Sequence, residues 1–558
     1  MTSLENIKVQ NLDHLGLIAG FIDELELVEQ INNIVGIEKC EKVSPGHVVK
    51  ALILNGLGFV SAPLYMFSRF FEGKATEHLI GEGVQPEHLN DDRIGRVLDK
   101  LYLAGLSELF TILALYAAKK FGVDLKTSHL DSSSFHLHGQ YNNSLPQVAF
   151  IKGEINSEAP KWSDLEETIV PNPIYISRGY SRDHRPDLKQ FILDLICSGD
   201  GDVPLLLRVA DGNEADKAVF AKILCEFKNQ LSLESLMVAD SALYSAANLL
   251  LLINLKWLCR VPLTVSEAKQ LVSELDSTQF MTSALPGYRF FEHQSNYGGV
   301  PQRWLVIESE KRRQSEISQF EKRLEKAFQE ASKKLNKLMT SSFPSPESAQ
   351  AAAVGLSSKL KYHSLSELSV REKLTSTNRQ ASKNSRNPQV FYSLQAKLVK
   401  NESPIYTERI KAGRFVLATN VLDKNELSNE EMLSEYKAQQ SAERGFAFLK
   451  DPLFFTDSIF IKSPERIEAL AMVMGLCLLV YSLAQRHLRL ALKSAQEGIK
   501  NQLGKLTDRP TLRWIFQCFQ SIHLLQIKGQ VQISNLTSER VGILRFFPKS
   551  CRQYYLLI

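Results

Sequence analysis

Apolar positions fall at helical spacing through the first 120 residues. Ser44-Pro45 opens one helix, carrying Val48, Val49, Leu52, Ile53 and Leu54, with proline in its first turn. Asn90-Asp91-Asp92 caps another, carrying Ile94, Val97, Leu98 and Leu101. The rhythm changes after Lys126. Thr127 to His138 alternates in part, and Phe191–Cys197 and Val203–Val209 read as two further strands. The polar run Ser198-Gly199-Asp200-Gly201-Asp202 joins these two as a hairpin. Pro204 sits near the start of a strand, where a missing donor is tolerated. A helix over Glu214–Asn229, a short buried strand Leu236–Ala239, a helix over Ala246–Ile253 and a strand Trp257–Val261 follow. The order β-β-β-α-β-α-β predicts an α/β fold, a mixed sheet flanked by helices.

Residues 262 to about 412 break that order. Val300–Ile307 reads as a strand. Glu308–Met339 reads as a charged helix with Ile317, Phe320, Leu324, Phe328 and Leu335 as its apolar stripe. Strand character returns at Arg414–Thr419. One long helix is then expected from Ser428 to Lys450, opened by a Ser428/Glu431 capping box and stopped by Asp451-Pro452. An apolar helix from Pro464 to Leu492 covers the sheet. These patterns divide the chain into a helical N-terminal domain (1–120), a first core segment (121–262), an insertion (263–412), a second core segment (413–495) and a C-terminal helical region (496–558).

Composition narrows the class. With 44% hydrophobic and 23% charged residues in 558, the chain has the profile of a globular protein rather than a disordered one. The net charge is +4, yet between Lys311 and Lys400 basic residues exceed acidic ones by 11. That excess is either a solvated helix face with loops or a phosphate-binding surface. The seven cysteines are odd in number and form no Cys-x-x-Cys pair, which suits buried free thiols rather than zinc sites or disulfides. Met1–Asn6 shows no signal-peptide pattern. The apolar run between Glu468 and Gln485 is shorter than the ~20 residues of a membrane span. A cytoplasmic protein without a membrane partner is the expectation.

Candidate chemistry lies on three acids. Asp131 interrupts a predicted strand, where a carboxylate is unusual. Asp240 follows four apolar residues, at the C-terminal end of a buried strand, where α/β sheets gather their catalytic groups. On the capped helix, Tyr436, Glu443 and Lys450 are seven apart. At ~100° per residue, Tyr436, Gln439, Gln440, Glu443 and Lys450 share one stripe of a continuous helix. An acid with a base two turns away suits a metal ligand beside a phosphate contact; an ordinary amphipathic face gives the same pattern. His136 and His138 alternate on a strand without a third ligand, which favours structural roles.

In combination these residues resemble the IS-four-like group of DDE transposases, whose signature is Tyr-x2-Arg-x3-Glu-x6-Lys. Tyr436, Glu443 and Lys450 match, and Gln439 stands in place of the arginine. The segments Gly179–Gln190 and Gly212–Asp216 also resemble one branch of that group. The resemblance implies an RNase H-like core in which Asp131, Asp240 and Glu443 hold two Mg²⁺ ions, with Mn²⁺ as a substitute, Asp131 bridging the pair. It implies transposition of an insertion sequence: water cuts at the element's end, and the freed 3′-OH attacks target DNA. The implied partners are double-stranded DNA, as terminal inverted repeats and as target, and a second copy of the chain on paired ends. Tyr436, Gln439 and Lys450 become candidate DNA contacts. Arg182, Arg185 and Lys189 are candidate DNA grips, or a salt-bridged turn with Asp183 and Asp187. Trp304 is a candidate to stack on an extruded base, or a core residue. Two other functions use the same fold: a DNA-binding derivative without catalysis, and a metal-dependent nuclease that cuts without joining.

Overall fold

The N-terminal helices form where their caps predict. In the computed structural model, which describes residues 7–39, 41–59, 62–138, 141, 172–180, 185–214, 216–230, 234–374, 390–451 and 462–557, the Ser44 side chain accepts from the His47 amide. Asn90 Oδ1 likewise accepts from the Arg93 amide at 2.9 Å. Apart from the short helices Phe67–Phe71 and Thr76–Ile80, the order begins β1 (Ile7–Asn11), α1 (Leu15–Glu24), α2 (Leu27–Val35), α3 (Pro45–Gly56), α4 (Asp91–Leu103) and α5 (Leu106–Lys120). It continues with β2 (Thr127–Leu137), β3 (Lys189–Ser198), β4 (Pro204–Ala210), α6 (Asp216–Gln230), β5 (Leu236–Ala239), α7 (Ala246–Leu251) and β6 (Trp257–Val261). The predicted β-β-β-α-β-α-β order is therefore present.

The middle of the chain holds α8 (Ser266–Glu274), β7 (Met281–Thr282), β8 (Tyr288–Tyr297), β9 (Val300–Ser309), α9 (Glu310–Thr340) and α10 (Pro346–Ser357). It goes on through β10 (His363–Leu374), β11 (Val390–Lys400), α11 (Glu402–Lys411) and β12 (Arg414–Thr419). The remainder is α12 (Asn429–Ala438), α13 (Gln440–Leu449), α14 (Pro464–Ala495), β13 (Ile499–Lys500), β14 (Leu506–Thr507), α15 (Leu512–Cys518), β15 (His523–Ile527), β16 (Gln530–Ser534), α16 (Ser538–Leu544) and α17 (Lys549–Tyr554). Two units emerge: Met1–Leu258 with Ser434–Ile558, and Cys259–Leu433.

In the first unit the strands run β4-β3-β2-β5, with β2 antiparallel to β3 and parallel to β5. The sheet is mixed and flanked by helices, as expected from the pattern. The long apolar helix α14 packs beside α1, α3, α4, α5 and β4. It is long and apolar enough to cross a membrane, but 94% of its apolar window is buried in the protein. In the second unit the strands run β12-β9-β8-β7. A charged helix, α9, turns Phe320, Leu324 and Leu335 inward, while Phe328 of the predicted stripe is 41% exposed.

Three expectations are refined. The N-terminal domain is not wholly helical: β1 pairs with β15, from Ile7↔Ile527 to Asn11↔His523. Nor is the C-terminal region, where β15 and β16 form a hairpin closed at Ile527↔Gln530. Its two-residue turn, Lys528-Gly529, has φ of 50° and 82°, the left-handed pair a tight hairpin requires. Lastly, the helix predicted from Ser428 to Lys450 is two helices, α12 and α13. The capping box is formed, with the Ser428 amide 2.7 Å from Glu431 Oε2 and the Glu431 amide 3.2 Å from Ser428 Oγ. The break falls at Gln439 (φ −54°, ψ −16°), whose amide donates to Tyr436 O at 3.2 Å, an i−3 bond that tightens the turn. No glycine or proline marks the spot.

Candidate active site

Strand register places the first two acids. β2 and β5 run parallel from Thr127↔Leu236 to Leu130↔Ala239. The pairing stops one residue before Asp131 and Asp240, so register brings the two acids to the same end of the strand pair. Both are half-buried. Asp131 Oδ1 accepts from the Ser132 amide at 2.8 Å. Asp240 Oδ1 accepts from the Ala242 amide at 2.8 Å, closing the turn that ends β5.

α13 is held over one face of β2 and β3 by three different contacts. Gly445 fits against Leu478 of α14 and Leu195 of β3; a Cβ there would lie 3.2 Å from Leu478 Cδ2 and 3.6 Å from Leu195 Cδ1. Leu195 is the register partner of Asp131. Further along, the Phe446 ring lies 6.5 Å from that of Phe135, and Lys450 Nζ sits 5.4 Å above the Phe135 ring. At the other end Arg444 forms a bidentate pair with Asp202, at 2.8 and 2.7 Å. The hydrogen bonds and charge of Asp202 raise the Arg444 guanidinium above its ordinary range. Asp202 reaches this position because the Gly-rich turn leaves it at φ 59°. Glu443, beside this pair, is exposed in the first turn of α13.

All the predicted acids thus lie in the first unit, two at one end of a strand pair and one on the helix packed over β2 and β3. Among the described residues, no three acidic, histidine or cysteine side chains stand close enough together to hold a metal ion. The chemistry of the set still fits a hard divalent cation, because each donor is a carboxylate oxygen.

Other predicted residues fare differently. Tyr436 and Gln439 are half-buried, but the break at Gln439 ends the single stripe drawn for a continuous helix. Trp304 is fully buried on β9, and its indole N–H donates to Gln302 Oε1 at 2.9 Å. A side chain so enclosed has no face to offer a base, so the stacking role is withdrawn. Arg185 forms a bidentate pair with Asp187 at 2.9 and 2.8 Å, the salt-bridged turn of the two readings. Lys189 donates to the Tyr141 carbonyl. Arg182 lies outside the described residues. His129, two residues before Asp131, is fully buried, and burial lowers its imidazole to about 4, so it is neutral. The six described cysteines are free thiols.

The opposite face of the sheet holds a group that sequence reasoning passed over. Ser132 faces Asp194 across β2 and β3, and its hydroxyl donates to Asp194 Oδ1. Arg208 Nη1 donates to Asp194 Oδ2 at 2.8 Å, and the same guanidinium grips Glu214 at 2.7 and 2.8 Å. Burial pushes the Asp194 carboxyl up to about 6, against the pull of Ser132 and Arg208. The signal was present: Asp194 and Arg208 are lone charges inside the apolar strands Phe-Ile-Leu-Asp-Leu-Ile-Cys and Pro-Leu-Leu-Leu-Arg-Val-Ala.

With this geometry described, comparison supplies the class. Residues 130–481 match the transposase DDE domain family, and residues 7–115 match a domain of unknown function (DUF4277). The first match spans more than half of the chain, which belongs to the transposase DDE domain family. No curated protein matches the sequence. Among solved structures, the chain is similar to a piggyBac transposase synaptic complex with hairpin DNA, at 7% identity and a TM-score of 0.36, over 97% of this chain and 80% of that one. A likeness of that size adds nothing to the family match.

Proposed function

We propose that this chain is the DNA transposase of an insertion sequence, with an RNase H-like core that cuts phosphodiester bonds at the element's ends and joins the freed 3′-OH to target DNA. The observation that supports the reading is the parallel register of β2 and β5, which ends one residue before Asp131 and Asp240, with the helix bearing Glu443 packed on the same face of β2 and β3. These three carboxylates would hold two Mg²⁺ or Mn²⁺ ions. When bound, such a pair activates the attacking oxygen and stabilises the leaving one. The chain's own part is to hold the carboxylates in place. The Ser132 and Ala242 amides fix one oxygen each of Asp131 and Asp240, and the docking of α13 sets the reach of Glu443.

DNA is the substrate, as terminal repeats and as target, and two copies of the chain act on paired ends. Tyr436, Gln439 and Lys450 remain the candidate contacts near the cut strand, with Arg182, Arg185 and Lys189 further out. The basic excess between Lys311 and Lys400 supplies a second phosphate-binding region.

The deciding experiment is Glu443→Gln in a plasmid assay with element-end DNA. Cleavage is expected to vanish while end binding survives. Cutting at the wild-type rate removes Glu443 from the set. Joined products in the wild-type reaction separate a transposase from a nuclease that only cuts.

A further inference from the structure

Gly179, Gln190 and Gly212, from the two segments that carry part of the resemblance, meet in the fold. A Cβ on Gly212 would lie 2.0 Å from the Gln190 carbonyl oxygen, and one on Gly179 would lie 2.1 Å from the Gly212 carbonyl oxygen. Only glycine permits that approach. Gln190 Nε2 then donates to Gly212 O at 2.7 Å and to Tyr180 O at 3.2 Å. This contact fixes the backbone just before Glu214.

From Glu214 a continuous set of hydrogen bonds leads back to the site. Glu214 accepts two bonds from Arg208, and Arg208 donates onward to Asp194. Asp194 accepts from the Ser132 hydroxyl, and the Ser132 amide donates to Asp131 Oδ1. Asp194 is 2% exposed and Ser132 1%. Bonds between charged and polar groups in so enclosed a place are strong and directional.

We propose that Glu214, Arg208 and Asp194 are positioning residues that act through Ser132 to aim the Asp131 carboxylate for its metal ions. The role rests on Asp131 being a metal ligand. It accounts for a buried acid and a half-buried base on the side of the sheet away from the chemistry, where well-packed apolar residues would serve stability as well or better. It also accounts for the second glycine segment, whose close approach seats the outer end of the chain of bonds.

The test is Mn²⁺ binding to the full chain, followed by the electron paramagnetic resonance of free Mn²⁺, together with metal-dependent end cleavage. Four variants are compared with wild type: Asp131→Asn, Ser132→Ala, Asp194→Asn and Ile196→Val. Ile196 is a buried neighbour on the Asp194 side of β3. Asp131→Asn should abolish tight Mn²⁺ binding. Ser132→Ala keeps the amide that bonds Asp131 but cuts its tie to Asp194, so it should weaken binding by up to about 10-fold, the least that outright loss of a ligand's hydrogen-bond partner does. Asp194→Asn keeps an acceptor for Ser132 and should fall between Ser132→Ala and wild type. Ile196→Val should leave Mn²⁺ affinity unchanged, although it thins the core. Wild-type affinity in both Ser132→Ala and Asp194→Asn overturns the proposal while Asp131 stands as a ligand. Equal weakening by Ile196→Val also overturns it, by reducing the effect to general stability. If Asp131→Asn binds Mn²⁺ like wild type, the ligand reading itself fails and the proposal falls with it.

Discussion

The β2–β5 pair and the α12–α13 segment carry the same kind of side chain by different means. Asp131 and Asp240 are fixed by strand register, which any slip would change for every residue of the strand at once. Glu443 is fixed by how one helix packs: a glycine against two leucines, an ion pair to a turn, and an aromatic contact. Register is all or nothing, whereas helix packing is a sum of modest terms. The sheet acids are therefore a permanent feature of the fold, and the helix acid is the adjustable member. That difference fits the arrangement found here, in which two carboxylates share one end of a strand pair while no three form a cluster among the described residues.

The largest effect expected from breaking this comparison is on the sheet side. Asp240→Asn should reduce end cleavage by on the order of 10³-fold, the scale seen when a group stabilising developing charge is lost. Its far-ultraviolet circular dichroism should match wild type. A loss of only a few-fold would mean that the register pair is structural rather than catalytic.

The next effect is on the helix side. Gly445→Leu adds a side chain where even a Cβ meets Leu478 at 3.2 Å, so α13 must lift. Cleavage should fall about 10²-fold, as for a reacting group misplaced by roughly 1 Å. Gly445→Ala, which Leu478 can accommodate by a small shift, should stay near wild type in the same assay. Equal activity in Gly445→Leu would show that Glu443 does not depend on this seat.

The smallest effect concerns stability alone. Glu468 is buried in α14, the helix that supports α13, and accepts from the Ile174 amide at 2.8 Å. Burial raises its carboxyl to about 8. Because the folded pKa lies above the unfolded value of 4.5, the folded state binds the extra proton between those limits. Stability from this group is therefore present at low pH and lost as pH rises toward 8. Glu468→Gln should flatten that slope, so its melting temperature should drop less than wild type's between pH 5 and 8.5, by roughly a few degrees. Parallel curves for the two proteins would contradict the assignment.

What was legible follows the same division. Asp240 could be read because four apolar residues and a turn announce the end of a strand. Asp131 could be read because a carboxylate in a strand is out of place. The order of core elements followed from period-two and period-3.6 patterns. The break at Gln439 left no trace, since Lys437-Ala438-Gln439-Gln440 contains ordinary helix formers and the tight turn arises without a breaking residue. Trp304 could not be placed, because an aromatic in an apolar strand suits a core and a binding surface equally. The Lys528-Gly529 turn was a readable signal, two residues between alternating strands, that was merged into a helical region. The β1–β15 pairing was beyond reading: its partners lie some 500 residues apart, and nothing local in either strand names the other.

That pairing has a consequence for how the protein comes into being. During synthesis Ile7–Asn11 leaves the ribosome some 500 residues ahead of His523–Ile527 and has no strand to join until that segment follows. The helix α1 is in the same position, since its Gly20 packs against the backbone of Cys551 in α17. The N-terminal module is thus completed only once the segments around residues 523 and 551 have been made. A message cut short anywhere before residue 523 yields a product whose first module lacks its closing strand, so an interrupted copy of the gene would not leave behind a finished N-terminal fragment to compete with the whole enzyme.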